Sequence, residues 1–496
     1  MSFTDLPNLL GEQILFLKQS ILARKKKRGN PFLEKVLISD VAAEGKALAR
    51  VEEKVLFVPF AAPGDVVDVQ VTKARKKYME GVIREFHTLS PDRVTPFCEH
   101  FGTCGGCKWQ HLPYERQLSF KQKQVTDSLE RIGGLDLSSV EKFPVLPSEK
   151  TTHYRNKLEF TFSNSRWLSK EEIESGEEIT DLEALGFHIP GFFDKVLDIK
   201  HCWLQPEPSN EIRLAVKAHA VSNHYSFYDL RAKTGFLRNL IIRNTPEGEL
   251  MVVMVFGHDD PEAIDSMMSF IDQRFPELTC LSYMINTKLN SSIGDLEPVI
   301  YSGRPYIEEK MDGLRFQVGP KSFFQTNSEQ AQRLYGVIRD FAGLTGSEVV
   351  YDLYTGAGTI ACFLAAKARK VVGIEYVDEA VVHARDNAKR NRIANTSFLT
   401  GDMADIFNEH FMQDQAYPDV IVTDPPRAGM HPKVVKELLK SGADRIVYVS
   451  CNPATQARDI DLLGSHYKLT KCQTVDMFPH THHVENVVLL EKRQEA

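Results

Sequence analysis

No run of apolar residues in this chain approaches the roughly 20 needed to span a bilayer, so no membrane partner is expected. The opening MSFTDLPNLLGEQ lacks the charged-then-apolar order of a secretory leader, and the expectation is a cytoplasmic protein. Cysteine is scarce. Eight in 496 residues cannot staple a fold of this size, so each thiol is read as a ligand, a nucleophile or a packing group. Net positive charge is missing too: at a formal −7 the chain exerts no general pull on nucleic acid, and such a partner would have to be gripped by local basic clusters.

What is present is 42% hydrophobic and 26% charged residues, the balance of a globular protein, in a chain long enough for several cores. Residues 1–31 form a basic amino-terminal segment whose run Arg24-Lys25-Lys26-Lys27-Arg28 is either a solvated tail or a phosphate grip. Residues 32–94 alternate apolar and polar in short runs broken by Glu44-Gly45 and Pro63-Gly64-Asp65, which predicts a small antiparallel β-barrel. On its strands Lys73, Arg75, Lys76 and Lys77 beside Tyr78 suit an RNA backbone and a stacked base, or alternatively a charged edge that discourages aggregation.

Residues 95–311 mix strands such as KLEFTFS and ELMVVMVFG with the helix PEAIDSMMSFIDQRF, an α+β middle domain. Its first part holds Cys98, Cys104 and Cys107 in the spacing C-x5-C-x2-C, and Cys202 in IKHCWLQP supplies a fourth thiol. Thiols packed for bulk have no reason to share one glycine-bearing loop, so a tetrathiolate site is expected, with zinc and an iron-sulfur cluster both open. The spacing departs from the C-x3-C-x2-C of radical enzymes. The amphipathic helix near 114–132 is expected to pack on the last domain, and the acidic stretch Lys170 to Glu183 reads as a solvated insertion.

Residues 312–496 turn to strand-helix repetition, a Rossmann-like doubly wound sheet, so the fold class is α/β multidomain. Ligands of such sheets lie beyond the carboxyl ends of the strands, where this sequence carries Asp352, Glu375, Asp402, Asp424 and Cys451. The turn Gly356-Ala357-Gly358-Thr359-Ile360-Ala361 fits a nicotinamide dinucleotide or S-adenosylmethionine, with Glu375 on the ribose of either. Asp424-Pro425-Pro426-Arg427 favours the second, because it puts an acid and a rigid turn where space is left for a flat base. Cys451 follows the β-formers IVYVS and precedes Asn452-Pro453, which stops the strand and leaves the thiol at its lip. Arg458, or a helix beginning near Ala454, is expected to favour its thiolate.

VTDPPRAG, VYVSCNPATQARD, KSFFQTN and DMFPHTHHVENVVLLEK resemble the motifs of the RNA uracil-C5 methyltransferase family. The four cysteines and the amino-terminal barrel resemble its ribosomal-RNA branch, which carries a TRAM domain. The resemblance implies Cys451 as nucleophile, Glu485 as base, and Gln325, Tyr354, Gly356, Thr359, Glu375, Asp402 and Asp424 around S-adenosylmethionine. It implies a 4Fe-4S cluster on Cys98, Cys104, Cys107 and Cys202, with Lys108, Trp109 and His111 turned toward RNA. His480, His482 and His483 are the rivals to Glu485 as base. The expected substrate is a uridine of 23S ribosomal RNA, with the T-loop uridine of transfer RNA as alternative, and the expected state is a monomer. A remoter alternative is an inactive RNA-binding assembly factor.

Overall fold

The computed structural model describes residues 30–494, so the basic run Arg24 to Arg28 lies outside the described residues. The described residues form two compact units, one of 30–92 without 43–45, the other of 43–45 and 93–494. In the first, six strands follow the order Phe32–Leu37, Val66–Ala74, Tyr78–Thr88, Lys54–Val58, Ala47–Val51, Asp40–Val41. Alternate residues turn inward, and Ala47, Ala49, Leu56, Val58, Val67, Val69 and Val71 make the core. The basic cluster is not strand-borne as expected. Of the four, only Lys73 lies within a strand, one residue before its end, while Arg75, Lys76 and Lys77 form the exposed hairpin turn, closed by the Arg75 amide on Tyr78 O at 2.8 Å. Lys73 itself pairs with Glu80 at 2.9 Å and sits 5.6 Å from the centre of the Tyr78 ring.

The second unit holds two large sheets. Seven strands run in the order Val196–Asp198, Ala184–His188, Lys157–Ser163, Leu237–Asn244, Leu250–Phe256, Cys280–Ile285, Val299–Gly303. Leu250–Phe256 is buried along its whole length, which is why its sequence is continuously apolar rather than alternating. The helix Lys170–Ser175, closed by a Ser169–Glu172 capping box, buries none of its residues, in keeping with a solvated insertion.

The eight-stranded sheet runs Thr396–Thr400, Lys370–Glu375, Val349–Leu353, Val420–Thr423, Arg445–Ser450, Glu485–Lys492, Tyr467–Val475, Glu141–Leu146. The first five are parallel and Glu485–Lys492 is antiparallel to its neighbours. Successive residues serve opposite faces. Val350, Val420, Val422 and Val447 pack under the helices Ser328–Ala342 and Thr359–Ala365, while Tyr351, Ile421, Ile446 and Tyr448 pack under Pro432–Ser441 and Pro453–Leu463. Val125 and Leu129 of the helix Tyr114–Arg131 join that second face. The sheet's last strand, Glu141–Leu146, comes from a segment the sequence groups with the middle domain. It contains Pro144, which only an edge strand tolerates.

Candidate active site

The carboxyl ends of the parallel strands open into a cavity of about 700 Å3 lined by Gln325, Tyr354, Gly356, Thr359, Glu375, Asp424, Arg427, Cys451, Phe478 and Glu485, among others. Eight of the residues singled out from sequence therefore share one space. Asp402 does not reach it. It caps the helix Met403–Ile406 through Ala404 N at 2.8 Å and lines an adjoining cavity, which shares Tyr354, Glu375 and Pro426 with the first.

Cys451 and Glu485 are brought together by strand register. Ser450 pairs with Asn486 in the antiparallel ladder, so the next residue on one strand meets the preceding one on the other. Gln456 locks that end, donating to Tyr448 O at 2.9 Å and to Asn486 O at 3.1 Å, while Asn486 donates back to Gln456 Oε1 at 2.8 Å. Beyond Cys451 the chain turns at once into a helix, with Asn452 accepting from Ala454 N at 3.2 Å and Pro453 in the first turn.

The charges around the thiol are mixed. Burial pushes Cys451 up to about 11, and the carboxyls of Glu485 and Asp424 push the same way, against the pull of Arg427. Burial also raises Asp424, and burial together with the neighbouring Asp424 carboxylate raises Glu485 well above the usual carboxylate range. The pair therefore holds protons tightly. His480, His482 and His483 are pushed down to about 4, 3 and 4 by burial, so they stand neutral at neutral pH.

On the other side of the cavity Tyr354, the first residue after the strand Val349–Leu353, stands at φ +65°, a conformation rare for a side chain of that size and typical of functional sites. Gly356 follows at φ +56°, with open space where a Cβ would stand; Gly358 at φ +74° is pressed so close that a Cβ would lie 2.8 Å from Ala384 Cβ. The backbone is thereby free to approach a ligand. The Glu375 carboxylate is held by the amides of Gly356, Tyr376 and Val377 at 3.0, 2.9 and 3.0 Å. Thr359 Oγ1 meets the Tyr335 hydroxyl at 3.3 Å. The loop carrying Gln325 is pinned by Asn156, which donates through Nδ2 to Gln325 O and through its amide to Thr326 O, both at 2.9 Å. This cradle suits an adenosyl ligand.

Cys98, Cys104, Cys107 and Cys202 line a separate cavity of about 460 Å3. Burial raises all four thiols, Cys104 and Cys107 to about 12, so a metal's charge is needed to draw off their protons. Among the described residues, the set of potential ligands whose donor atoms lie within 4.8 Å of one another is Asp68, Glu85 and His87, not these thiols. A lone tetrahedral zinc would draw four sulfurs to about 3.8 Å of one another. Four thiols facing one cavity are a donor set that suits a metal group.

A model of the tRNA (uracil-5-)-methyltransferase family matches residues 304–493, and a TRAM domain model matches 34–83. An uncharacterized RNA methyltransferase of Bacteroides thetaiotaomicron is 55% identical over 91% of this chain and 100% of its own. One from Chlorobaculum tepidum is 42% identical over 92% and 96%. The chain belongs to the RNA uracil-C5 methyltransferase family. Among solved structures, Pyrococcus abyssi tRNA (uracil-54, C5)-methyltransferase in complex with S-adenosyl-L-homocysteine is similar with TM-score 0.70 and 28% identity, over 92% of this chain and 100% of that one.

In this RNA methyltransferase two expectations fail. Arg458 does not face the thiol: its guanidinium is bound to Asp459 Oδ1 and to Ala428 O at 3.1 Å. Arg427 stands at Cys451 instead, its carbonyl fixed by Asn452 Nδ2 at 3.0 Å and Thr455 Oγ1 at 3.2 Å. The tie between these two motifs is invisible in sequence, although Arg427 already stood out by following the prolines. Trp109 and His111 are buried rather than turned outward to RNA.

Proposed function

We propose that this enzyme methylates carbon 5 of a uridine in 23S ribosomal RNA, using S-adenosylmethionine and a transient bond from Cys451 to carbon 6 of the ring. The observation that carries the reading is the meeting of Cys451, Glu485 and Asp424 at one cavity beside the cradle of Tyr354, Gly356 and Glu375. Uracil carbon 5 is a poor nucleophile because the ring carbonyls withdraw electrons. Addition of the Cys451 thiolate to carbon 6 moves an electron pair into an enolate, and carbon 5 then attacks. Arg427 favours the thiolate against two carboxyls. When bound, S-adenosylmethionine supplies a methyl group on a positively charged sulfur. After transfer, the Glu485 carboxylate removes the proton from carbon 5, the electron pair restores the ring double bond, and the carbon 6–sulfur bond breaks to release the Cys451 thiolate. Burial has raised the proton affinity of Glu485, which strengthens it as a base once its own proton has left. Asp424 accepts from the uracil imide. Gln325, Tyr354, Thr359 and Glu375 hold the adenosyl group, with Asp402 at its outer end.

Cys98, Cys104, Cys107 and Cys202 would hold a 4Fe-4S cluster. Methyl transfer moves no net electrons, so its contribution is to build the protein around it. The tRNA reading is favoured by the likeness to a tRNA (uracil-54, C5)-methyltransferase. Mapping 5-methyluridine in ribosomal and transfer RNA of cells with and without this protein decides between them. Loss from 23S ribosomal RNA is expected; loss only from transfer RNA overturns the substrate assignment. Cys451→Ala should abolish methylation with S-adenosylhomocysteine binding intact, and retained activity would end the covalent mechanism.

A further inference from the structure

The turn between the strands Tyr467–Val475 and Glu485–Lys492 sends Phe478 into the reaction cavity and leads straight to Glu485. Four successive carbonyls of this turn are gripped by donors outside it. Met477 O accepts from Asn327 Nδ2 at 3.0 Å and Phe478 O from Lys121 Nζ at 3.0 Å. Pro479 O accepts from the Tyr154 hydroxyl at 3.0 Å, and His480 O from the amides of Lys108 and Trp109 at 2.8 and 3.0 Å. The His480 amide donates to Gln117 Oε1 at 2.8 Å. His480 adopts φ +63°, a conformation that persists in a non-glycine residue only where its surroundings over-determine it.

Two of these grips come from chain that adjoins the thiols. Lys108 and Trp109 directly follow Cys107. Tyr154 lies between His153 and Arg155, whose amides donate at 2.8 Å each to the carbonyls of Trp203 and Leu204, the two residues after Cys202. Thr481 lines the cysteine cavity, whereas Phe478, three residues earlier, lines the reaction cavity. One short turn is thus part of both walls.

We infer that Tyr154 and the amides of Lys108 and Trp109 are positioning groups for Glu485, through which the four-cysteine site holds this turn in register with Cys451. The inference deepens the proposed function and rests on Glu485 being the base. A base that must reach carbon 5 only after the methyl group has arrived depends on its backbone being held still. The donors that hold it sit beside two of the four thiols.

The test uses the full-length enzyme with its metal group in place and the variant Tyr154→Phe, which removes one hydroxyl and no thiol. Amide exchange over residues 478–485 should rise about tenfold, the effect expected for one such hydrogen bond, with exchange over 349–375 unchanged. S-adenosylhomocysteine affinity should stay within about twofold, while kcat falls and methylated RNA accumulates bound to Cys451, because thiol release waits on proton removal. Cys202→Ser, which disturbs the site from the other side, should loosen the same amides. Unchanged exchange at 478–485, or a rise spread evenly over the sheet, overturns the linkage. Local loosening with a fall in kcat but no accumulated adduct refutes Glu485 as the base and leaves the linkage itself standing.

Discussion

Lys121 Nζ lies 2.5 Å from Asp476 Oδ1, with both side chains wholly enclosed. The carboxylate also accepts from the Tyr114 hydroxyl at 2.8 Å and the Phe478 amide at 3.1 Å, and Lys121 donates again to Phe478 O. Burial holds the ammonium below the usual lysine range, opposed by Asp476 and then by Glu485. The pair ties the helix Tyr114–Arg131 to the turn that carries the reaction-cavity residues.

Removing one member of that pair is therefore costly. Lys121→Met leaves Asp476 buried without its cation and should destabilise the protein by about 3–5 kcal/mol in urea unfolding. Lys121→Met combined with Asp476→Leu should recover most of the loss, because the uncompensated charge is gone. A double variant as unstable as the single one would contradict this.

Alkylation at Cys451 reports its thiolate directly. With the thiol pushed up to about 11, the rate with iodoacetamide should climb about tenfold per unit between roughly pH 7 and pH 9. Arg427→Gln should slow it several-fold at each pH, and Arg458→Gln should not. Peptide mass spectrometry at residue 451 separates this signal from the other thiols. A plateau below about pH 9 in the enzyme alone would show that burial and the two carboxyls do not act on the thiol as described.

Glu309 adds a pH dependence to stability. It is buried beneath the Gln325 loop, accepting from Ser328 Oγ at 2.9 Å and Asn156 Nδ2 at 3.2 Å, and burial pushes its carboxyl from 4.5 up to about 7. The fold holds this proton more tightly than the unfolded chain does. The stabilisation is present below about 4.5 and is lost as pH rises through about 7. Against Glu309→Gln, whose amide oxygen still accepts both bonds, the wild type should lose about 3 kcal/mol between pH 4.5 and pH 8 in unfolding titrations. Parallel curves for the two proteins would refute it.

Arg75, Lys76 and Lys77 put three exposed cations on one turn. Changing all three to glutamine should weaken RNA binding and lower the log–log salt slope by about 2, at roughly 0.7 per lost contact with a single strand. Binding of S-adenosylhomocysteine should not change. An unaltered slope would return this turn to a solubilising role.

Much of the architecture was legible because it is written locally. Alternation marked the first unit, and strand-turn-helix repetition marked the large sheet, with its acids and Cys451 at the strand ends. The strand Glu141–Leu146 was not legible, since it pairs with Tyr467–Val475 across more than 300 residues and its own six residues carry no sign of that partner. Arg458 looked suitable by nearness in sequence, but it lies on the helix Pro453–Leu463 and faces Asp459. Trp109 and His111 looked like surface contacts because a loop of mixed polarity gives no clue to which way it faces.

Sequence by itself determined which chemical groups this enzyme owns and the order of the elements that carry them, because periodicity and turn chemistry act over a few residues. Only the tertiary structure decided that Arg427 rather than Arg458 stands at the thiol, that Asp402 lies one cavity away, and that Glu485 meets Cys451 across two strands. Proton affinity and reach depend on distance and desolvation, and both are set by parts of the chain that are remote from one another until it folds.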